Sequence, residues 1–191
     1  METTSPQATV LDTWLAEEAA QQARLDGGPG PGVSAPDTVA GMDGLAQMQA
    51  MLRGELPYPH IARTLHFMLV EVTRGRAVFQ GSPRTEHLNP LGSVHGGWFA
   101  TLLDSALGCA VHSALPQGKT YTTLELKVNM IRALTPKVAR VRAEGQVIHV
   151  GGQTATADAR LVGADGRLYA HASTTCLVFD LRPATTPQSR S

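Results

Sequence analysis

The stretch from His95 to Ser113, HGGWFATLLDSALGCAVHS, constrains the fold more than any other part of the chain. It is apolar on nearly every helical face, and a helix of that kind is buried all round instead of lying on a surface. The chain after it has strand character. Tyr121–Ile131 sets Leu124, Leu126, Val128 and Met130 against Thr123, Glu125, Lys127 and Asn129. Gln153–Val162 sets Ala155, Ala157, Ala159 and Leu161 against Thr154, Thr156, Asp158 and Arg160. Lys137–Val150 holds another strand, and Arg167–Phe179 a last one after the hairpin turn pair Asp165-Gly166. Before the helix, Phe67–Val72 and Arg76–Gly81 read as two strands joined around Arg74-Gly75. The segment 83–94 is a loop, because Pro83, Asn89, Pro90 and Gly92 disfavour regular structure. The order is therefore two strands, one buried helix and four strands, an α+β fold. Small residues at 155, 157, 159, 170, 172 and 174 line one face of the later strands. Such a face suits a sheet that curls closely round the helix, since packed interiors are limited by volume.

The first forty residues read differently. Asp12 to Leu25 has the composition of a short polar helix, and the glycines and prolines from Gly27 to Gly32 then break any regular structure. Such a segment buries little, so residues 1–40 are expected to be a flexible N-terminal extension. Residues 41–180 form the expected domain, and 181–191 a disordered tail. Met42–Leu52 places Leu45, Met48, Met51 and Leu52 on one helical face, and a short helical piece comes after Leu56–His60. Sixteen basic residues balance sixteen acidic ones, which gives no global field for nucleic acid or an anionic membrane. The N-terminus lacks a secretory signal, Asp12, Glu17 and Glu18 argue against a transit peptide, and no stretch suffices for a membrane span. Cys109 and Cys176 lie in apolar surroundings that fit a reducing compartment, so the expected location is cytoplasmic.

Chemistry concentrates between Asn89 and Asp104. His95-Gly96-Gly97 opens the helix, where the first backbone N–H groups lack intrahelical partners. Glycine there lets a ligand oxygen approach the backbone, and the helix dipole favours an oxygen that becomes negative during acyl transfer. Asp104 sits between Leu103 and Leu107 with almost no other charge nearby. Burial raises a carboxyl pKa, which suits a general base. Each feature alone also has a structural reading: a turn that needs glycines, or an aspartate bonded to a neighbour such as Ser105. Asp104 lies nine positions after His95, half a turn out of phase and about 13 Å along the axis. If both ends act on one small centre, the site combines two subunits in a two-fold dimer.

The pattern Asn89–x5–His95-Gly96-Gly97–x6–Asp104, with the subsequent TTLELKVNMIRAL, resembles the hotdog-fold thioesterases of the PaaI type. The resemblance covers roughly residues 61–179. It implies a curved antiparallel sheet wrapped round one long central helix, with the short N-terminal helical segments outside that core. It also implies hydrolysis of an acyl-CoA thioester, with an aromatic or medium-chain acyl group. Coenzyme A enters as part of the substrate, and no separate cofactor or metal is called for. A homodimer built by sheet extension, paired again into a dimer of dimers, is the implied assembly. By the same resemblance Asp104 activates water or attacks the thioester, and Gly96 donates its N–H to the carbonyl from the facing subunit. Asn89 places the water or carbonyl, His95 supports the turn, and Thr123 aids positioning near the carboxylate, though Thr122 is one register step away. Gly97 would contact substrate, and Gly151-Gly152 could take the phosphopantetheine arm or be a plain hairpin.

Other chemistries find less support. Ser93 lies in Gly92-Ser-Val-His-Gly96, which is not G-x-S-x-G. The seven histidines include no H-x-x-x-H or H-x-H pair, and no G-x-G-x-x-G is present. An acyl-thioester dehydratase or hydratase and a non-catalytic acyl-CoA-binding module share the fold and stay open. Trp98, Phe99 and Met130 are candidates for an apolar pocket, and core packing explains them equally well.

Overall fold

The computed structural model describes residues 6–181. Four helices come first: α1 (Pro6–Asp26), α2 (Pro36–Val39), α3 (Gly44–Leu52) and α4 (His60–Thr64). Strands β1 (Phe67–Thr73) and β2 (Arg76–Gly81) come next, then a 3-10 turn (Thr85–His87) and the long helix α5 (Gly96–Ala114). Strands β3 (Lys119–Met130), β4 (Val141–Val150), β5 (Thr154–Gly163) and β6 (Leu168–Asp180) complete the domain. The six strands form one antiparallel sheet in the order β1-β2-β4-β5-β6-β3. The succession of elements along the chain matches the order read from the sequence.

Helix α5 packs against all six strands. A flat sheet of that size would be about 24 Å wide, twice a helix diameter, so the sheet has to curve round α5. The small inner face makes this possible. Ala155, Ala157, Ala159, Ala170 and Ala172 are all buried, as is Thr174. Gly145 on β4 allows the closest approach: a Cβ there would lie 2.2 Å from the Ala106 carbonyl oxygen of α5. The expected sheet wrapped round a helix is the observed architecture.

Three expectations need correction. First, α5 is not buried all round. Trp98, Phe99, Leu102, Leu103, Ala106, Leu107, Ala110 and Val111 are buried, but Gly97, Thr101, Asp104, Ser105, Cys109 and His112 leave one stripe partly open. These residues are small or polar and recur at helical spacing, a signal masked by the overall apolar composition.

Second, β3 does not alternate throughout. Its pairing with β6 shifts between Thr123 and Glu125, a bulge that turns Leu124 outward at 61% exposure. Leu126 and Val128 pack on the core as expected, while Met130 is 53% exposed.

Third, the segment expected to be a flexible extension contains a 21-residue helix packed on the outer sheet face. Trp14, Gln21 and Leu25 of α1 are buried. The Gln80 amide donates to the Trp14 carbonyl at 3.1 Å and to Glu18 at 2.6 Å. Glu18 also pairs with Arg140, Glu17 pairs with Arg142, and the Arg142 guanidinium lies 4.4 Å over the Trp14 ring. Gln80 and Arg142 face each other across β2 and β4 on the side away from α5. A helix that looks polar and unanchored thus finds partners that are distant in sequence. The expected tail at 181–191 lies outside the described residues beyond Leu181.

Candidate active site

The loop before α5 is fastened by its own side chains. Asn89 Oδ1 accepts from the Leu91 N–H at 2.9 Å and the Ser93 N–H at 3.3 Å, and its Nδ2 donates to Ser93 Oγ at 3.0 Å. Asn89 therefore closes the 89–93 turn. The Val94 N–H donates to Leu134 O at 2.9 Å and the His95 N–H to His87 O at 2.8 Å, which fixes the entry to the helix. Beneath it, His87 stacks on Trp98 at 5.5 Å, and the Trp98 indole N–H donates to Leu65 O at 2.9 Å. Trp98 and Phe99 belong to the core.

His95 is the N-cap of α5, and its Nδ1 accepts the Gly97 N–H at 2.9 Å. The ring proton therefore sits on Nε2. The Gly97 N–H is taken by the cap, whereas Gly96, at the first helical position, has an N–H with no partner within the helix. A Cβ on Gly96 would fall 2.7 Å from Met130 Cε, the end of a flexible side chain.

Asp104 lies two turns further along, half-buried on the open stripe of α5. Burial pushes its pKa up, and a hydrogen bond from Thr123 Oγ1 to Oδ1 at 3.2 Å partly opposes that by favouring the anion. The bond resolves the register question, because Thr122 faces outward. The bulge at Leu124 is what lets Thr123 face the helix while the strand continues on the core beyond it. The structure thus joins Asp104 to Thr123, and groups His95, Gly96 and Gly97 at the helix start beside the Asn89 turn.

Gly151 and Gly152 stand apart, in the β4–β5 hairpin, where the Gly151 N–H donates to Thr154 O at 2.7 Å. Ala155 pairs with Cys176, which in turn pairs with Thr123, so the hairpin lies at the same end of the sheet as Thr123.

The sequence reading missed Tyr121 and Gly108. Tyr121 lies two residues before Thr123 on β3, and its hydroxyl sits where a Gly108 Cβ would be, 2.4 Å away. Gly108 lies four residues after Asp104, and that spacing was the available signal. Among the described residues, His66, Glu86 and His87 bring potential metal-ligand atoms within 4.8 Å of one another. His87 does not fit that role. Its Nδ1 accepts the Arg84 N–H at 3.2 Å, so the ring proton is on Nε2 and neither nitrogen has a free lone pair. Cys109 and Cys176 are both free thiols.

A curved six-stranded antiparallel sheet round a central helix with a glycine-opened start and a half-buried carboxylate is the hotdog architecture, and the core of this chain is similar to the thioesterase superfamily. Residues 91–170 match the family model described as thioesterase superfamily. The structural neighbours are PaaI-type proteins. A candidate thioesterase related to phenylacetic acid degradation, from Ralstonia eutropha JMP134, is 29% identical, with 68% of this chain and 97% of that one covered at a TM-score of 0.62. A variant of the phenylacetic acid degradation protein PaaI from Thermus thermophilus is 28% identical, covering 61% of this chain and 96% of its own at a TM-score of 0.55. A candidate esterase from Halobacterium salinarum is 38% identical over 80 residues. That match takes in 41% of this chain and 51% of the relative, so the chain spans about half the length of the curated relative it matches. No helix among the described residues is long and apolar enough to cross a membrane.

Proposed function

We propose that the protein hydrolyses an acyl-coenzyme A thioester to the free acid and coenzyme A, acting in the cytoplasm on an aromatic or medium-chain acyl group. The observation that carries this reading is Asp104: a half-buried carboxylate on the one open stripe of an otherwise buried helix, held by Thr123. The proposed catalytic domain spans 41–180.

The Gly96 N–H and Asp104 of one chain are eight residues apart, about 12 Å along the axis, too far to grip a single thioester. A second copy supplies the missing partner. Strand β3 ends the sheet, and its twelve residues leave one edge without a partner among the described residues. An unpaired edge of that length is a template for sheet extension. A two-fold pair built on β3 sets the open stripes of two α5 helices toward each other and creates two equivalent sites. Pairing of such dimers into a tetramer is compatible with this arrangement.

In each site the Gly96 N–H from one protomer polarises the thioester carbonyl, and Asp104 from the other takes a proton from water as the oxygen attacks. The C–O bond forms, the C–S bond breaks, and the proton passes to the departing thiolate. Direct attack by Asp104 gives the same products through an anhydride that water then opens. A raised pKa makes the carboxylate a stronger base, and the Thr123 bond keeps it ionised enough to act. Asn89 and His95 hold the turn that presents Gly96.

The test is thiol release from a panel of acyl-CoAs by wild type and Asp104→Asn. The reading expects a loss of about 10²- to 10⁴-fold in kcat. Turnover unchanged by the substitution overturns it.

A further inference from the structure

A chamber of about 240 Å³ opens beside the stripe of α5 that carries Asp104. Its floor is Cys109 and His112 of α5 with Tyr121 of β3, and its roof is Met48 and Met51 of α3 with Leu56 beyond it. The chamber begins one helical turn past Asp104, where Tyr121 occupies the space left by Gly108. Asp104 is close enough for its charge to push up the pKa of both Cys109 and Tyr121.

The roof is firmly seated. The Gly44 N–H donates to Leu115 O at 3.1 Å, and a Cβ on Gly44 would fall 1.7 Å from His112 O, so the start of α3 rests directly on the end of α5. Asp43 caps α3 by accepting the Ala46 N–H at 2.8 Å. All three roof residues precede the segment 91–170 that matches the superfamily.

We propose that this chamber receives the acyl group, and that Met48 and Met51 set the longest one accepted: an uncharged chain of about six to eight carbons or a single aryl ring on a short linker. The proposal rests on the hydrolase reading above. The size follows from volume, since a dry cavity of about 150 Å³ holds benzene and this one exceeds it by a few methylene groups. The exclusion of charge follows from the walls. Burial pushes the Cys109 thiol up to about 12 and the Tyr121 phenol well above its ordinary value, and it pushes the His112 imidazole down. All three are neutral near pH 7. An acyl group ending in a carboxylate would find no cation there, only the neutral polar groups of Ser34, Gln47 and Thr120, which replace the hydration of a charge poorly.

The experiment measures kcat/KM for acyl-CoAs of two to sixteen carbons and for succinyl-CoA with wild type, Met51→Trp and Met51→Ala. Wild type is expected to peak near six to eight carbons and to disfavour succinyl-CoA about a hundredfold against butanoyl-CoA. Met51→Trp should lower the octanoyl-to-butanoyl ratio about tenfold or more, and Met51→Ala should move the peak to longer chains. One shared chain-length profile for all three proteins, or equal use of succinyl- and butanoyl-CoA, overturns the assignment. If wild type hydrolyses no thioester at all, the hydrolase reading fails on its own. Calorimetric binding of octanoyl-CoA then decides the chamber: about tenfold weaker binding by Met51→Trp supports it, and equal binding refutes it.

Discussion

Gly145→Ala tests whether close approach of sheet and helix is what holds the site together. The added Cβ would lie 2.2 Å from the Ala106 carbonyl oxygen, 2.5 Å from its carbon and 3.0 Å from the Leu107 nitrogen. These are backbone atoms of a buried helix, with no side-chain rotation available to relieve the contact. Against an optimal separation of roughly 3.5 Å, α5 has to lift by about 1 Å over this point. Overpacking of this kind costs about 1–3 kcal/mol. For a domain of this size that corresponds to a fall in Tm of about 2–12 °C. Gly41→Ala is the control, because nothing lies within 4 Å of a Cβ there and its backbone is not left-handed. Thermal unfolding monitored by circular dichroism measures both. A Gly145→Ala protein melting within about 1 °C of wild type refutes the reasoning, because that lies below the predicted cost.

Titration of Asp104 gives two further predictions. Burial raises its folded-state pKa above the unfolded value, so the folded protein binds more protons between those two values. The favourable contribution of this group is complete below the unfolded pKa and is lost as pH rises through the folded one. Asp104→Asn should therefore melt above wild type at pH 8, by a margin that shrinks as pH falls; a margin that grows on acidification contradicts the assignment. Thr123→Val removes the bond that favours the anion, so the acidic limb of the kcat/KM profile should move to higher pH, and a stationary limb means Thr123 does not support the ionised form. Trp14→Ala removes the buried ring under Arg142. It should weaken docking of α1 by about 3 kcal/mol, seen as roughly hundredfold faster amide exchange confined to that helix.

The element order and the wrapped helix were legible because they arise from local periodicity and side-chain volume, as the alanines at 155, 157 and 159 illustrate. Asp104 stood out as a lone charge among leucines. The features that stayed hidden depend on contacts distant in sequence. The polar composition of α1 gives no sign that Glu17 and Glu18 meet Arg142 and Arg140, more than a hundred residues later. The bulge at Leu124 breaks a period-two pattern without any glycine or proline to announce it. Gly97 could not be told from Gly96 until the His95 ring was seen to take one of the two N–H groups.

The most direct test of a site shared between two chains is complementation. Gly96→Pro deletes the one N–H at issue, and the local backbone accepts it: proline is favoured at the first helical position, and His95 before it is already extended at φ −62° and ψ 138°. Asp104→Asn and Gly96→Pro proteins, each inactive alone, are unfolded together, refolded as a mixture and assayed for thioester cleavage. If the two groups act across the interface, half of the dimers are mixed and each carries one intact site, so activity returns to about a quarter of wild type. A mixture no more active than its components would mean that each chain works, if at all, without its neighbour.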